Sequence, residues 1–336
     1  MNTFQSYMER RPKFSGVISI SKGNEIIYED AFGLSNKEKE IENNIHTKYP
    51  VGSMLSKPLT AVATFQLIEK GKLSLHQPID KFLPFYKNKG ITIHHLLNHT
   101  SGIPNLLMLR KQLKWDQDYT QKQIFDTLQE HKLNFTPGQK ISYNNTGFFM
   151  LGIIIEKVSG VTYHDYIKEN IFKPANMKHT GFLHEEIEGT ANNYINQKSG
   201  PYVSPTLLFA CGDAISTLED IHLFHKALES NILITKISSE QMQTPTYKGR
   251  FITMGYSWFI KQLFGRKSVS HGGTHPGGFT THVERYLDDD MTIVVISNDM
   301  ISHKMLTMKE LGATLISREL ASLLYNQKLH HWQKFF

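Results

Sequence analysis

Strand-type alternation occurs only near the two ends of this chain, and helical spacing fills the middle; no other feature of the sequence restricts the fold as strongly. Residues 16–21 alternate with period two, Lys22-Gly23-Asn24 supplies a turn, and residues 25–32 continue as a second strand, so a β-hairpin opens the fold. Strand patterns return at 252–260, 280–286 and 291–297, followed by a helix over about residues 306–325. Between them, Leu59, Val62, Ala63, Gln66, Leu67 and Lys70 are spaced three and four apart and Gly71 closes the run, which predicts a helix from Lys57. Further helices are expected at 92–98, 120–131, 146–159 and 163–171, and another from Ser216 to Glu229, with no strand between 73 and 205. The expected class is therefore α+β. One antiparallel sheet is built from both chain ends and flanked by helices (1–72 and 206–336), an all-helical half (73–205) is inserted, and a cleft lies between them.

Composition narrows the function classes. Apolar residues make up 40% of the 336 and charged residues 20%, enough to bury a large core and too apolar for a disordered chain. The 37 basic and 31 acidic residues give a net charge of +6, but they are scattered, so no nucleic-acid partner is expected. Cys211 is the only cysteine, which excludes an internal disulfide and any cysteine-based zinc or iron–sulfur site, and it reads as a small buried hydrophobe. The opening residues have no apolar core of signal-peptide length, and the most apolar stretch, 148–155, is too short to span a bilayer. The chain as given is expected to be cytoplasmic, or exported if a leader has been removed, with no integral membrane segment.

Three short segments put reactive side chains on turns beside regular elements: Gly52-Ser53-Met54-Leu55-Ser56-Lys57, Tyr143-Asn144-Asn145 and His271-Gly272-Gly273-Thr274. A serine at a helix start with a lysine one turn along can be an activated nucleophile, and the helix terminus offers N–H groups to an oxyanion. A tyrosine nearby can pass a proton to a leaving group, and an asparagine beside it can hold a substrate amide.

With these segments on the page, the chain resembles the serine β-lactamase and penicillin-binding-protein-like family, which includes class C β-lactamases, D-alanyl-D-alanine carboxypeptidases, D-aminopeptidases and related esterases. FSGVISISKGNEIIYEDAFG, ITIHHLLNHTSGIPN, FTPGQKISYNNTGFFMLGIIIEKVSG and CGDAISTLEDIHLF look like family segments in the family's order. The resemblance implies an acylated nucleophile at Ser53, its base at Lys57, and Tyr143 with Asn145 as the tyrosine-x-asparagine element. His271 and Gly273 would form the third element, histidine standing where many relatives have lysine, and the N–H groups of Ser53 and Thr274 would form the oxyanion hole. It implies a small-molecule or short-peptide substrate, an ester or amide hydrolysed through an acyl-enzyme, with no cofactor.

One departure bears on that chemistry. The family places its serine three residues before the lysine, whereas Ser53 lies four before Lys57. Both spacings return to one helix face, but the rise grows from about 4.5 to about 6 Å. A bulge could absorb the extra residue, or Met54 could take the nucleophile's place, leaving a relative that binds a peptide or acyl ligand without turning it over. Ser19-Ile20-Ser21-Lys22 has the family's spacing but lies in the hairpin, where residues three apart face opposite sides. Ser56 points about 100° away from Lys57 and is expected to cap or pack. His95 and His99 would share a face only if their helix extends that far; without a nearby carboxylate, no metal site is expected. The terminal His330-His331-Trp332-Gln333-Lys334-Phe335-Phe336 reads as a tail packed on its own domain.

Overall fold

The computed structural model describes residues 3–249, 252–301 and 312–330. Its central element is an eight-stranded antiparallel sheet. The strands are β1 (Gly16–Lys22), β2 (Glu25–Phe32), β3 (Tyr247–Lys248), β4 (Thr253–Met254), β5 (Phe259–Leu263), β6 (Arg266–Thr274), β7 (Thr280–Tyr286) and β8 (Met291–Ser297). Their order, β3-β4-β5-β6-β7-β8-β1-β2, places the amino-terminal hairpin directly against the last strand, with Gly16 opposite Ser297 and Lys22 opposite Met291. Gly16 is required at that join, because a Cβ on it would fall 2.0 Å from the Ile296 carbonyl oxygen.

The sheet is covered on both faces, and the alternation in β8 shows how. Val294 and Ile296 belong to one hydrophobic cluster while Ile293 and Val295 belong to another, as period-two geometry requires. All four are fully buried, each contributing about 1.5–3 kcal/mol of transfer free energy. The second cluster is closed by α1 (Thr3–Glu9) and α10 (Gly312–Leu324), whose Leu320 and Ala321 face the strands. The first part of the helix expected from residue 306, and the tail residues 331–336, lie outside the described residues.

The larger cluster joins the sheet to the helices. It runs from Val269, Val283 and Ile296 through α2 (Ser53–Glu69) to α5 (Asn145–Ser159) and α7 (Pro205–Gly212). Fourteen of the seventeen residues of α2 are buried, among them the polar Ser56, Lys57, Thr60, Thr64 and Gln66, so it is a core helix whose polar side chains are hydrogen-bonded inside the protein. The Gly71 stop holds, at φ 67° just beyond the helix.

The helical region also contains α3 (Ile93–Leu97), α4 (Gln121–Gln129) and α6 (Tyr163–Ile167), the last continuing as a π-turn over Lys168–Phe172. Thr92 and Thr120 form capping boxes with His95 and Gln123. Helix α8 (Leu218–Glu229) follows as the spacing predicts, and α9 (Lys236–Met242) is an addition. Two expectations need correction. Short strands do occur between 73 and 205, at Gly181–Phe182, Tyr194–Ile195 and Lys198–Ser199; at two residues each they carry no readable alternation. The strand read at 252–260 is broken at Ser257, whose φ of 67° separates β4 from β5. Helix α3 ends at Leu97 and His99 has φ 62°, so His95 and His99 share no helix face.

Candidate active site

Helix α2 begins at Ser53, four residues earlier than its spacing predicts, and runs unbroken through Lys57. Gly52 is its N-cap, at φ 57° and ψ −143°, a conformation that strains any residue with a side chain. No bulge absorbs the extra residue. The lysine stem spans the longer rise instead, and Lys57 Nζ lies 2.7 Å from Ser53 Oγ. Met54 is buried in the core and Ser53 is the half-buried residue of the first turn, so the serine rather than the thioether meets the lysine.

Lys57 is fully buried, and its amine has two further partners, Asn145 Oδ1 at 2.8 Å and the Cys211 carbonyl oxygen at 2.9 Å. Asn145 arrives there because Asn144 caps α5, its side chain accepting from Gly147 N at 3.0 Å, which makes Asn145 the first helical residue. Asn145 Nδ2 donates to Asn105 Oδ1 at 3.3 Å, fixing the amide so that its oxygen faces the lysine. The Cys211 carbonyl also accepts from Ser53 Oγ, at 3.2 Å.

These contacts serve both protonation states. An ammonium gives one N–H to each of Asn145 Oδ1, Cys211 O and Ser53 Oγ, while the serine hydroxyl donates to Cys211 O. A neutral amine keeps the first two bonds and turns its lone pair to the serine, whose proton then points at nitrogen. Between the two states only the serine hydroxyl changes the group it donates to, from the Cys211 carbonyl to the lysine nitrogen.

Tyr143 precedes the α5 cap, half-buried, with its ring 4.5 Å from that of His99 and stacked at 6.1 Å on Phe259. Lys57 Nζ lies 4.8 Å from the Tyr143 ring centroid. The Tyr143 hydroxyl is 3.1 Å from His271 Nε2, and His271 Nδ1 is 2.5 Å from the Ser257 carbonyl oxygen. A carbonyl can only accept, so Nδ1 carries the proton and Nε2 accepts from Tyr143. Burial, reinforced by the positive Lys57 nearby, pushes the His271 pKa down to about 3, so the imidazole is neutral near pH 7.

Gly273 lets β6 approach the start of α2. A Cβ there would lie 2.6 Å from Thr281 Oγ1, 3.2 Å from the Val51 carbonyl oxygen and 3.3 Å from Met54 N. Thr274, the next residue, is exposed at the strand end, where it pairs with Thr280. The structure thus brings Ser53, Lys57, Tyr143, Asn145 and His271 into one hydrogen-bonded and ring-stacked group, with Gly273 and Thr274 at its border.

Sequence reasoning missed Asn105 and the carbonyls of Cys211 and Ser257. Asn105 follows Ser101-Gly102-Ile103-Pro104, a turn signature that could have marked it; a backbone carbonyl has no residue-type signal. Two secondary readings hold: Ser56 Oγ accepts from Ala214 N at 3.0 Å, and Ser19 Oγ bonds His222 Nε2 at 2.8 Å, remote from the lysine. No helix among the described residues is long and apolar enough to cross a membrane.

Comparison with known proteins gives a consistent result. The profile of the β-lactamase family matches residues 2–314. A penicillin-binding protein of Bacillus subtilis (strain 168) is 32% identical over 323 residues, covering 89% of this chain and 71% of that protein. Among solved structures, a penicillin binding protein from Bacillus halodurans superposes with a TM-score of 0.79 at 28% identity, covering 96% of this chain and 99% of that one. The octameric penicillin-binding protein homologue from Pyrococcus abyssi gives 0.82 at 28% identity, over 97% and 77%.

Proposed function

Since the chain belongs to the β-lactamase family, we propose that it is a serine acyl hydrolase that forms an acyl-enzyme on Ser53 and releases it to water. The observation that carries this reading is the 2.7 Å contact between Ser53 Oγ and a Lys57 amine whose other two directions are taken by Asn145 Oδ1 and Cys211 O. The site lies, in this reading, in a cleft between a sheet-containing half (1–72 and 206–336) and a helical half (73–205).

Ser53 Oγ attacks the substrate carbonyl carbon as its proton passes to Lys57 Nζ. The carbonyl oxygen becomes an oxyanion, held by the N–H groups of Ser53 and Thr274; Gly52 provides no side chain to cap the helix start and compete for it. Tyr143 gives its proton to the departing alcohol or amine and regains one from the Lys57 ammonium. Water then attacks the acyl carbon with Lys57 as base, and Ser53 Oγ leaves reprotonated. Asn145 and His271 position the substrate.

The substrate class proposed is a small ester or an uncharged amide, D-amino-acid peptides included. A neutral His271 offers no permanent charge to a substrate carboxylate, which disfavours penicillin-type substrates. Incubation with a fluorophosphonate and, separately, a penicillin, followed by peptide mass spectrometry, tests the assignment. We expect an adduct on Ser53 that Lys57→Ala abolishes. A well-folded protein with no adduct and no turnover on ester, D-peptide and cephalosporin panels would select the alternative, a relative that binds such ligands without hydrolysing them. Faster hydrolysis of a carboxylated β-lactam than of a simple ester at pH 8 would overturn the substrate preference alone.

A further inference from the structure

Where α6 meets the end of α7, three side chains far apart in sequence converge. His164 stands on α6, His184 on the 3-10 turn Leu183–Glu185, and Asp213 follows α7. One ligand atom from each lies within 4.8 Å of the others. We propose that His164, His184 and Asp213 bind a divalent transition-metal cation of the zinc type, distinct from the acyl-transfer centre.

Two independent observations support a ligand there. Asp213 is buried, with a side chain only 1% exposed; its Oδ2 takes a 2.7 Å bond from His164 Nε2, while its Oδ1 is shielded from solvent and has no hydrogen-bond partner. A carboxylate oxygen in that condition is costly unless something positive meets it. Beside the three side chains lies a cavity of about 210 Å³, walled by Phe149, Phe209 and Tyr119. It leaves room for a metal-bound water or an exogenous ligand at a fourth position.

The donor set fits the cation. Two imidazoles and one carboxylate, with a fourth position open, form a recurrent zinc environment. Donors on a tetrahedral ion at 2.0–2.1 Å stand about 3.3 Å from one another. The His164–Asp213 pair opens slightly to reach that spacing, and His184, exposed on its short turn and with its ring 4.4 Å from that of His164, closes by rotating inward. The neighbouring Lys168 pairs with Glu185, which offsets its repulsion of an incoming cation.

Occupancy would be felt at the catalytic centre. Asp213 lies two residues beyond Cys211, whose carbonyl holds both Ser53 and Lys57, so an ion on Asp213 would tether that carbonyl.

The test uses the full chain without a histidine tag, stripped with a chelator and titrated with Co²⁺ and then Zn²⁺. We expect one equivalent of Co²⁺ to give the intense visible spectrum of a four-coordinate ion and Zn²⁺ to displace it. His184→Ala removes an exposed side chain and is expected to fold as the parent does while losing at least about tenfold in affinity. Asp213→Asn should lose as much, and His46→Ala, at an exposed histidine outside the cluster, should lose nothing. Absence of the spectrum at stoichiometric Co²⁺, or equal affinity in His184→Ala and the parent, overturns the site and leaves His164–Asp213 as a structural pair. If Asp213→Asn fails to fold, His184→Ala decides alone.

Discussion

Tyr143 occupies two environments at once, since its ring packs on His99 and Phe259 while its hydroxyl reaches His271 Nε2 at 3.1 Å. Tyr143→Phe keeps the first and deletes the second. Folding is expected to be unchanged, because losing one partly buried hydrogen bond costs about 1 kcal/mol. Turnover is expected to fall by roughly two to four orders of magnitude, the reach of general acid–base catalysis. Parallel measurement of Tm and kcat/KM decides; near-parental activity would make the tyrosine structural. The same residue shows how far a sequence is legible at this scale. Tyr143, Asn145 and His271 are readable because the chemistry proposed for them belongs to their side chains. The Cys211 carbonyl, which organises Ser53 and Lys57, belongs to a residue whose thiol is merely buried. His164, His184 and Asp213 are common residues that only the fold brings together.

At the scale of the element, the site depends on how closely β6 approaches the first turn of α2. Gly273→Ala would place a methyl 2.6 Å from Thr281 Oγ1 and 3.3 Å from Met54 N, so strand and helix must part by several tenths of an ångström. Because Thr281 Oγ1 also donates to the Val51 carbonyl at 2.9 Å, the strain enters the turn that carries Gly52 and Ser53. The expected outcome is a folded protein, destabilised by about 1–3 kcal/mol, with acyl-probe labelling of Ser53 reduced at least about tenfold. A urea titration alongside labelling kinetics checks both; parental labelling would show that the approach is slack. Elements with ordinary caps, such as α5 behind Asn144, were legible from their residues. The start of α2 was not, because a glycine N-cap that makes no side-chain bond leaves no signature.

For the whole molecule, buried neutral histidines link stability to acid. Burial pushes His222 and His275 down to about 4 and His271 to about 3, against about 6.5 in an unfolded chain. As pH falls from 6.5 the unfolded state binds protons that the native state refuses, so stability decreases with acidification across the window from about 6.5 to 3. Asp213 and Asp220, raised by burial, act in the opposite sense, and only below their own raised values. Tm is therefore expected to fall steadily between pH 7 and 4; a flat profile would show these imidazoles to be hydrated. The α+β architecture was legible from its apolar periods, whereas the order of the eight strands was not, since alternation says which face is buried and nothing about which strand is adjacent.

The pairing of β1 with β8 also sets a timetable. The register joins Lys22 to Met291 and Gly16 to Ser297, so the β1–β2 hairpin cannot acquire its neighbour until synthesis has passed Ser297. At about 5–20 residues per second, that wait is on the order of tens of seconds. Through that interval Ile18 and Ile20, which end up fully buried, stay without their cover, and the inner edge of the hairpin is open to any other strand. Closure of the sheet is a late, long-range step that must outrun aggregation, so yield in the cell should depend on synthesis rate and on the chaperones that shield nascent chains.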